Sequence, residues 1–264
     1  MSSPTQALPF DLAAATAHLS FKDEKLAGLI AETLQFEIDL SEASSPYEAL
    51  MESIAYQSIS GKAAATIFAR VRALGTHGRP PTPEQMLKLP KPALRKAGLS
   101  GAKVLAMKDL AKKTIDGVVP TLEQARALSD DELVERLVSV RGIGAWTVEM
   151  FLIFRLGRPD VLPIHDLGVK KGWSVAYGKK RMPLPKELLA FGERWRPYRT
   201  VASWYMWRAF ERAGYAVTNK ILPARLQKRR HPAKPTQRKP FKSKRFETNS
   251  PAKITNRERS KHPQ

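Results

Sequence analysis

The stretch DELVERLVSVRGIGAWTVEMFLIFRLGRPDVLPIHDLGVKKGW, residues 131–173, decides how the chain is read. Leu133, Leu137 and Val140 form an apolar stripe on a first helix, and Trp146 to Phe154 form a second, strongly apolar one. Arg141-Gly142-Ile143-Gly144 is the hinge between them. Two glycines let the backbone turn sharply and approach a ligand, while Ile143 pins the turn into the core. The turn aims the first amides of the second helix outward, where unsatisfied N–H groups and the helix dipole favour an anion such as a DNA phosphate. Gly142, Ile143 and Gly144 are therefore candidate backbone contacts to DNA. A Gly-Ile-Gly by itself also marks ordinary turns, so the helical pattern on both sides carries the argument.

Downstream, in VLPIHDLGVKK, stands Asp166. An Asp after a Pro-containing loop is suited to cap the helix that follows, and its carboxylate is equally suited to chemistry; spacing alone does not choose. His165 is a rival acid or base. Lys170 and Lys171 read either as phosphate contacts or as a solvated basic turn, and Lys103 has the same standing.

Outward from this stretch, the chain from Phe21 to about residue 221 reads as helices separated by short Pro- or Gly-marked turns. No segment alternates convincingly as a strand, so the expected class is all-α. Residues 1–20 read as an N-terminal extension, with at most the start of a helix. Four helix starts carry a capping box: Ser45 with Glu48, Thr82 with Gln85, Thr121 with Gln124, and Ser129 with Glu132. Leu50, Ile54 and Ile59 are assigned to one helix, and Ile67, Val71 and Leu74 to the next. Val104, Met107, Leu110 and Ile115 mark another. After Pro185, the interruption at Pro197 predicts two helices.

The chain has 264 residues, 45 Lys and Arg against 25 Asp and Glu, a net charge of +20, and no cysteine. Such an excess points to a polyanion, most simply nucleic acid. The lack of cysteine excludes disulfides, thiol nucleophiles, zinc ribbons and iron-sulfur clusters. No apolar run is long enough to span a bilayer and no basic region precedes an apolar N-terminal stretch, so no membrane association is expected. Residues 222–264 carry +12 of the charge, with six prolines and two aromatics. Such a segment cannot bury enough surface to offset its ordering entropy, so a disordered basic tail is expected. It is either a solvated solubility segment or a polybasic arm for phosphate contacts or targeting.

The stretch from Leu137 to Lys171 resembles the helix-hairpin-helix DNA glycosylase superfamily, whose pattern is an L-x-x-x-x-G-[IV]-G hairpin followed about twenty residues on by Pro-x-x-Asp. The resemblance is most specific to its alkylpurine branch, the 3-methyladenine DNA glycosylase II type. Upstream, YEALMESIAYQSISGKAAATIFARV (residues 47–71) looks like that family's Q-x-[IV]-S segment, and LRKAGLSGAKVLAMKDLA (residues 94–111) like its Gly-[LM]-Ser-x-x-Lys segment. ERWRPYRTVASWYMW (residues 193–207) matches its W-[RK]-P-[WY]-R-[ST] helix in spacing.

The resemblance implies two helical subdomains flanking a DNA-binding cleft: residues 45–155 as a bundle ending in the hairpin, and 21–44 together with 156–221 as the second. It implies that Asp166 is the catalytic carboxylate, stabilising the positive charge that develops on deoxyribose. Trp146 and Trp207 occupy the base-pocket positions, where an indole attracts a cationic alkylated purine; on spacing alone both read equally as packing aromatics. Tyr47, Tyr56, Trp204 and Tyr205 read as packing. In the strand-cutting branch a lysine stands where this chain has Trp146, so a monofunctional enzyme without lyase activity is expected. The helix plug falls at Ser58, small for the task, or at Gln57 or the loop from Gly98 to Lys103.

The expected activity is hydrolysis of the N-glycosidic bond of alkylated purines, of the 3-methyladenine and 7-methylguanine type, in duplex DNA during base-excision repair. The alternatives are the same fold acting on deaminated or oxidised purines, and a non-catalytic DNA-binding module. The expected partner is damaged double-stranded DNA, the protein a monomer, its location intracellular and DNA-associated. No metal site and no cofactor are expected, although hairpin carbonyls could hold a monovalent cation.

If the basic tail supplies phosphate contacts, deleting residues 222–264 weakens binding to all sequences. It also flattens the plot of log affinity against log salt by about 0.9 for each phosphate that the tail neutralises. Titrations of native and truncated protein at several salt concentrations measure both.

Overall fold

The structure, a computed structural model, describes residues 7–33, 35–38, 40, 45–76 and 78–214. Among them every regular element is helical and no strand occurs. The basic tail, 222–264, lies outside the described residues.

The first two helices, α1 (Leu12–Lys22) and α2 (Glu24–Glu32), share one boundary residue. The Asp23 amide donates to the Leu19 carbonyl to end α1, and its carboxylate accepts from the Leu26 amide to begin α2. Ala15 and Leu19 are fully buried. Much of the segment read from sequence as an N-terminal extension is therefore built into the body. Its Ala-rich pattern has little amphipathic contrast, which is why the apolar face does not stand out.

The next eight helices run without a break in topology. They are α3 (Pro46–Tyr56), α4 (Gly61–Arg72), α5 (Pro83–Lys88), α6 (Lys91–Lys96), α7 (Gly101–Ile115), α8 (Leu122–Ala127), α9 (Asp130–Val138) and α10 (Ala145–Phe154). Reciprocal capping boxes form at Thr82, Thr121 and Ser129. At Ser45 the hydroxyl accepts from the Glu48 amide. Helix α3 stops at Tyr56, short of Ile59, because Ser58 turns into the left-handed region at φ 58°. Helix α3 packs on α4, α7 and α10, α7 on α5 and α6, and α9 on α10.

The chain then crosses back. Helices α11 (Leu167–Ala176), α12 (Pro185–Gly192), a single 3-10 turn (Glu193–Trp195) and α13 (Arg199–Arg212) complete the body. Helix α13 packs on α11, α1 and α2, so the first two helices belong with the last ones. The two groups meet across one continuous core. At the seam, Phe154 of α10 stacks on Trp207 of α13 with centroids 5.6 Å apart. The Thr200 amide donates to the Pro159 carbonyl and the Val161 amide to the Thr200 hydroxyl. Asp160 accepts from both Arg196 and Arg199.

The tightest contact in the second group lies between α11 and α13. A Cβ built on Gly172 would stand 1.8 Å from the Met206 carbonyl oxygen, inside the radius of any atom. Only hydrogen at this position lets the two backbones lie so close. A Cβ at Gly168, one turn earlier, would meet Trp207 at 2.7 Å.

Gly172→Ala therefore forces the helices apart and lowers stability by about 3 kcal/mol or more, as overpacking against backbone does. Gly28→Ala in α2, where nothing lies within 4 Å of the added methyl, raises stability by about 0.5–1 kcal/mol through helix entropy. Urea unfolding of the two variants beside the native chain checks both directions.

Candidate active site

Asp166 sits at the start of α11 and is 8% exposed. Its side chain caps the helix, with Oδ1 accepting from the Val169 amide at 2.8 Å. The same oxygen accepts from the Trp207 indole N–H at 2.8 Å, and Oδ2 accepts from the Trp146 indole N–H at 2.9 Å. Three donors from α10, α11 and α13 thus hold one carboxylate in a single orientation. The cap uses one lone pair of one oxygen, which leaves the carboxylate lone pairs for other contacts. His165 is exposed beside it.

The two tryptophans differ in what their rings can meet. Trp146 is half-buried. Trp207 is 1% exposed, with Phe154 stacked on it and its N–H spent on Asp166. Trp207 thus orients the carboxylate and fills the seam. Tyr47 donates to the Pro81 carbonyl, Tyr56 lies edge-on to Phe68, and Trp204 and Tyr205 are buried, as packing residues.

The hairpin takes its shape from Gly142, which lies at φ 79°, and from Ile143, which is buried. Gly144 begins α10 with no capping side chain. Gly144 and Ala145 are exposed. Beneath the hairpin, Asp109 of α7 accepts from the Arg141 amide at 2.7 Å and pairs with Lys113, which donates to the Ser139 carbonyl. The carbonyls of Val140, Gly142 and Gly144 also accept hydrogen bonds. Among the described residues no group of His, Cys, Asp or Glu is placed to hold a metal ion.

Gln57 and Ser58 lie at the turn after α3. The Gln57 side chain donates to the Gly142 carbonyl at 2.8 Å, tying this turn to the hairpin. Lys103 donates to the Ala55 and Gln57 carbonyls at 2.8 Å each, so its ammonium closes the end of α3 rather than standing free for phosphate. Ser58 is exposed. Lys170 is half-buried on α11, and the Lys171 ammonium lies 5.8 Å from the Phe210 ring centroid.

One residue of the site has no signal in the sequence. Glu149 lies one turn after Trp146 on α10, and its Oε2 is buried with no hydrogen-bond partner. Burial, and secondarily the neighbouring charge of Asp166, push its carboxyl up to about 7. A Glu in an apolar helix reads as an exposed position until the fold shows what covers it.

Between the ordinary carboxyl value of 4.5 and about 7 the folded protein keeps a proton on Glu149 that the unfolded chain has released. Native stability therefore falls as pH rises through that window. Glu149→Gln removes the dependence. At pH 8 it is more stable than the native chain by roughly 1–3 kcal/mol, and the gain vanishes below pH 4.5. Thermal melts of both proteins across this range measure the difference.

The comparisons with known proteins agree with one another. Residues 51–197 match the HhH-GPD superfamily of base excision DNA repair proteins. The chain is 38% identical over 205 residues to DNA-3-methyladenine glycosylase 1 of Schizosaccharomyces pombe, covering 77% of this chain and 90% of that protein. The solved structure of the S. pombe 3-methyladenine DNA glycosylase in complex with abasic DNA is similar with a TM-score of 0.69, over 77% of this chain and 99% of that one. A DNA-3-methyladenine glycosidase of Bacillus halodurans, 30% identical, is similar with the same score, over 76% and 90%. The chain belongs to the HhH-GPD superfamily of base excision DNA repair proteins.

Proposed function

We propose that this protein is a DNA glycosylase that hydrolyses the N-glycosidic bond of alkylated purines in duplex DNA and leaves the strand uncut. The observation that carries the proposal is the Asp166 carboxylate, held by three N–H donors at the seam between the two helix groups. Relatives named for 3-methyladenine excision support the substrate class.

In the reaction the bond between C1′ and the purine nitrogen breaks and its electron pair leaves with the base. Positive charge grows on the sugar. A carboxylate fixed in advance stabilises that charge without reorganising at the moment of reaction. Water then forms the new C1′–O bond, and Asp166 is placed to take its proton. The indole donors of Trp146 and Trp207 keep the carboxylate aimed and prevent it from rotating as the cation develops. A purine alkylated at N3 or N7 is already cationic and leaves readily. The exposed part of the Trp146 ring attracts such a base by cation–π interaction, worth roughly 0.5–2 kcal/mol.

The target nucleotide must leave the stack to reach this seam. Gln57 and Ser58, at the turn tied to the hairpin, stand for the plug that fills the gap. The hairpin amides at Gly144 and the start of α10, with Lys170, stand for backbone phosphate contacts. No lyase step is expected, because Trp146 occupies the position of the attacking amine and Ala145 and Thr147 offer none. DNA is the partner and the place of action.

Asp166→Asn keeps an acceptor and shape but loses the charge. It lowers single-turnover release of 3-methyladenine about 10²–10³-fold, with binding to an abasic duplex retained. The native product strand breaks only after alkali treatment. Tight binding with no base release by the native protein would favour the non-catalytic module, and release of deaminated or oxidised purines alone would favour the other substrate class. Base-release assays with defined lesions, and denaturing gels of the product, decide among these.

A further inference from the structure

The proposed reaction uses Asp166, Trp146 and Trp207, and leaves one half-buried acid unexplained. Glu149 is on α10, one turn beyond Trp146 and on the same side of the helix, since residues three apart are neighbours there. Its Oε2 is shut off from solvent and receives no hydrogen bond. Native proteins rarely leave a buried acceptor without a donor. A carboxyl in that situation either carries a proton of its own or awaits a cation.

The charges around it do not supply that cation. Arg155, at the end of α10, is paired with Glu52 of α3 at 2.6 Å. Arg208 of α13 pairs with Glu211, and Arg158 with Asp130 at the start of α9. Of the ionisable groups on the helices around it, Asp166 is the one whose charge acts on Glu149, and it acts to keep the proton on. Asp166 has N–H donors on both oxygens, whereas Glu149 has none on Oε2. Burial first, and the charge of Asp166 second, keep the proton on Glu149.

We propose that Glu149 is a specificity-determining residue: a second carboxyl beside Asp166 that is protonated against an uncharged base and ionised against a cationic one. When a cationic purine enters, the proton on Glu149 leaves to water and the site gains a second negative charge. No bond to the base forms or breaks in that step. An uncharged purine gives no compensation for a second buried charge, so Glu149 stays neutral and contributes nothing to its capture. In a low-dielectric site the discrimination acts through the field, without a direct contact. The carboxyl's displacement to about 7 places the exchange within the physiological range.

This inference rests on the proposed glycosylase reading, and one experiment separates the two. Single-turnover rate over half-saturating enzyme concentration is measured for a duplex carrying 3-methyladenine from pH 5.5 to 8.5. It is normalised to affinity for the same duplex with an uncharged tetrahydrofuran abasic site. That quotient reports ionisation in the free enzyme. In the native protein it rises with pH and levels off above an inflection near 7. In Glu149→Gln it is flat, and at pH 8 it is about tenfold lower, the equivalent of one pKa unit of charge interaction. A native profile that is flat overturns the inference whatever the variant does. So does a variant that follows the native profile at the native level. Absence of any base release by the native chain overturns the glycosylase reading itself.

Discussion

Helix α11 can lie on α13 only where it has no side chain, and most of the site follows from that constraint. Gly172 brings the α11 backbone against the Met206 carbonyl, and Gly168 makes room for the Trp207 indole. At that separation the indole N–H reaches the carboxylate that caps α11. A wider spacing would leave Asp166 capped but without its donor from α13. The same approach sets Trp207 against Phe154, so the seam between the two helix groups closes around the carboxylate. Packing and chemistry are set by one distance.

The molecule holds a second carboxylate built on the same plan. Asp23 caps α2 and accepts from the Tyr177 hydroxyl at 2.6 Å and the Trp195 indole at 3.0 Å. Two aromatic donors and one helix amide surround each acid. Asp23 is enclosed by the ring cluster of Trp173, Tyr177, Phe191 and Trp195 and joins α2, α11 and the 3-10 turn. Asp166 lies at the seam, held by Trp146 and Trp207. The same arrangement thus fixes two buried acids in this fold.

Much of this is legible in the sequence where the cause is local. The hairpin glycines, the caps at Thr82, Thr121 and Ser129, and the break at Pro197 each depend on a few neighbouring residues, and the structure shows them. Asp166 is singled out by the family resemblance of the hairpin and the Pro-x-x-Asp after it, since its spacing alone leaves capping and chemistry open. What the sequence does not show is what depends on distant contacts. The burial of Trp207, the commitment of Lys103 to the end of α3 and the isolation of Glu149 all arise when remote helices meet. Helix α1 escapes sequence reading for a related reason: its Ala-rich pattern shows little amphipathic contrast, and its packing against α2, α13 and the 3-10 turn reveals that it is covered.

The interleaving of the two groups also bears on the order in which the chain is made. The ribosome delivers α1 and α2 first and the helices they pack against last, with α3 to α10 emerging in between. The middle group has its own neighbours and can settle during synthesis, since domains fold as units as they appear. The opening helices must wait for α11 and α13. Asp166 gains its cap as α11 forms and its final donor only when Trp207 has emerged. A truncated translation product that ends before α13 thus carries the hairpin and the capped Asp166 but lacks the donor that fixes the carboxylate's second contact on Oδ1.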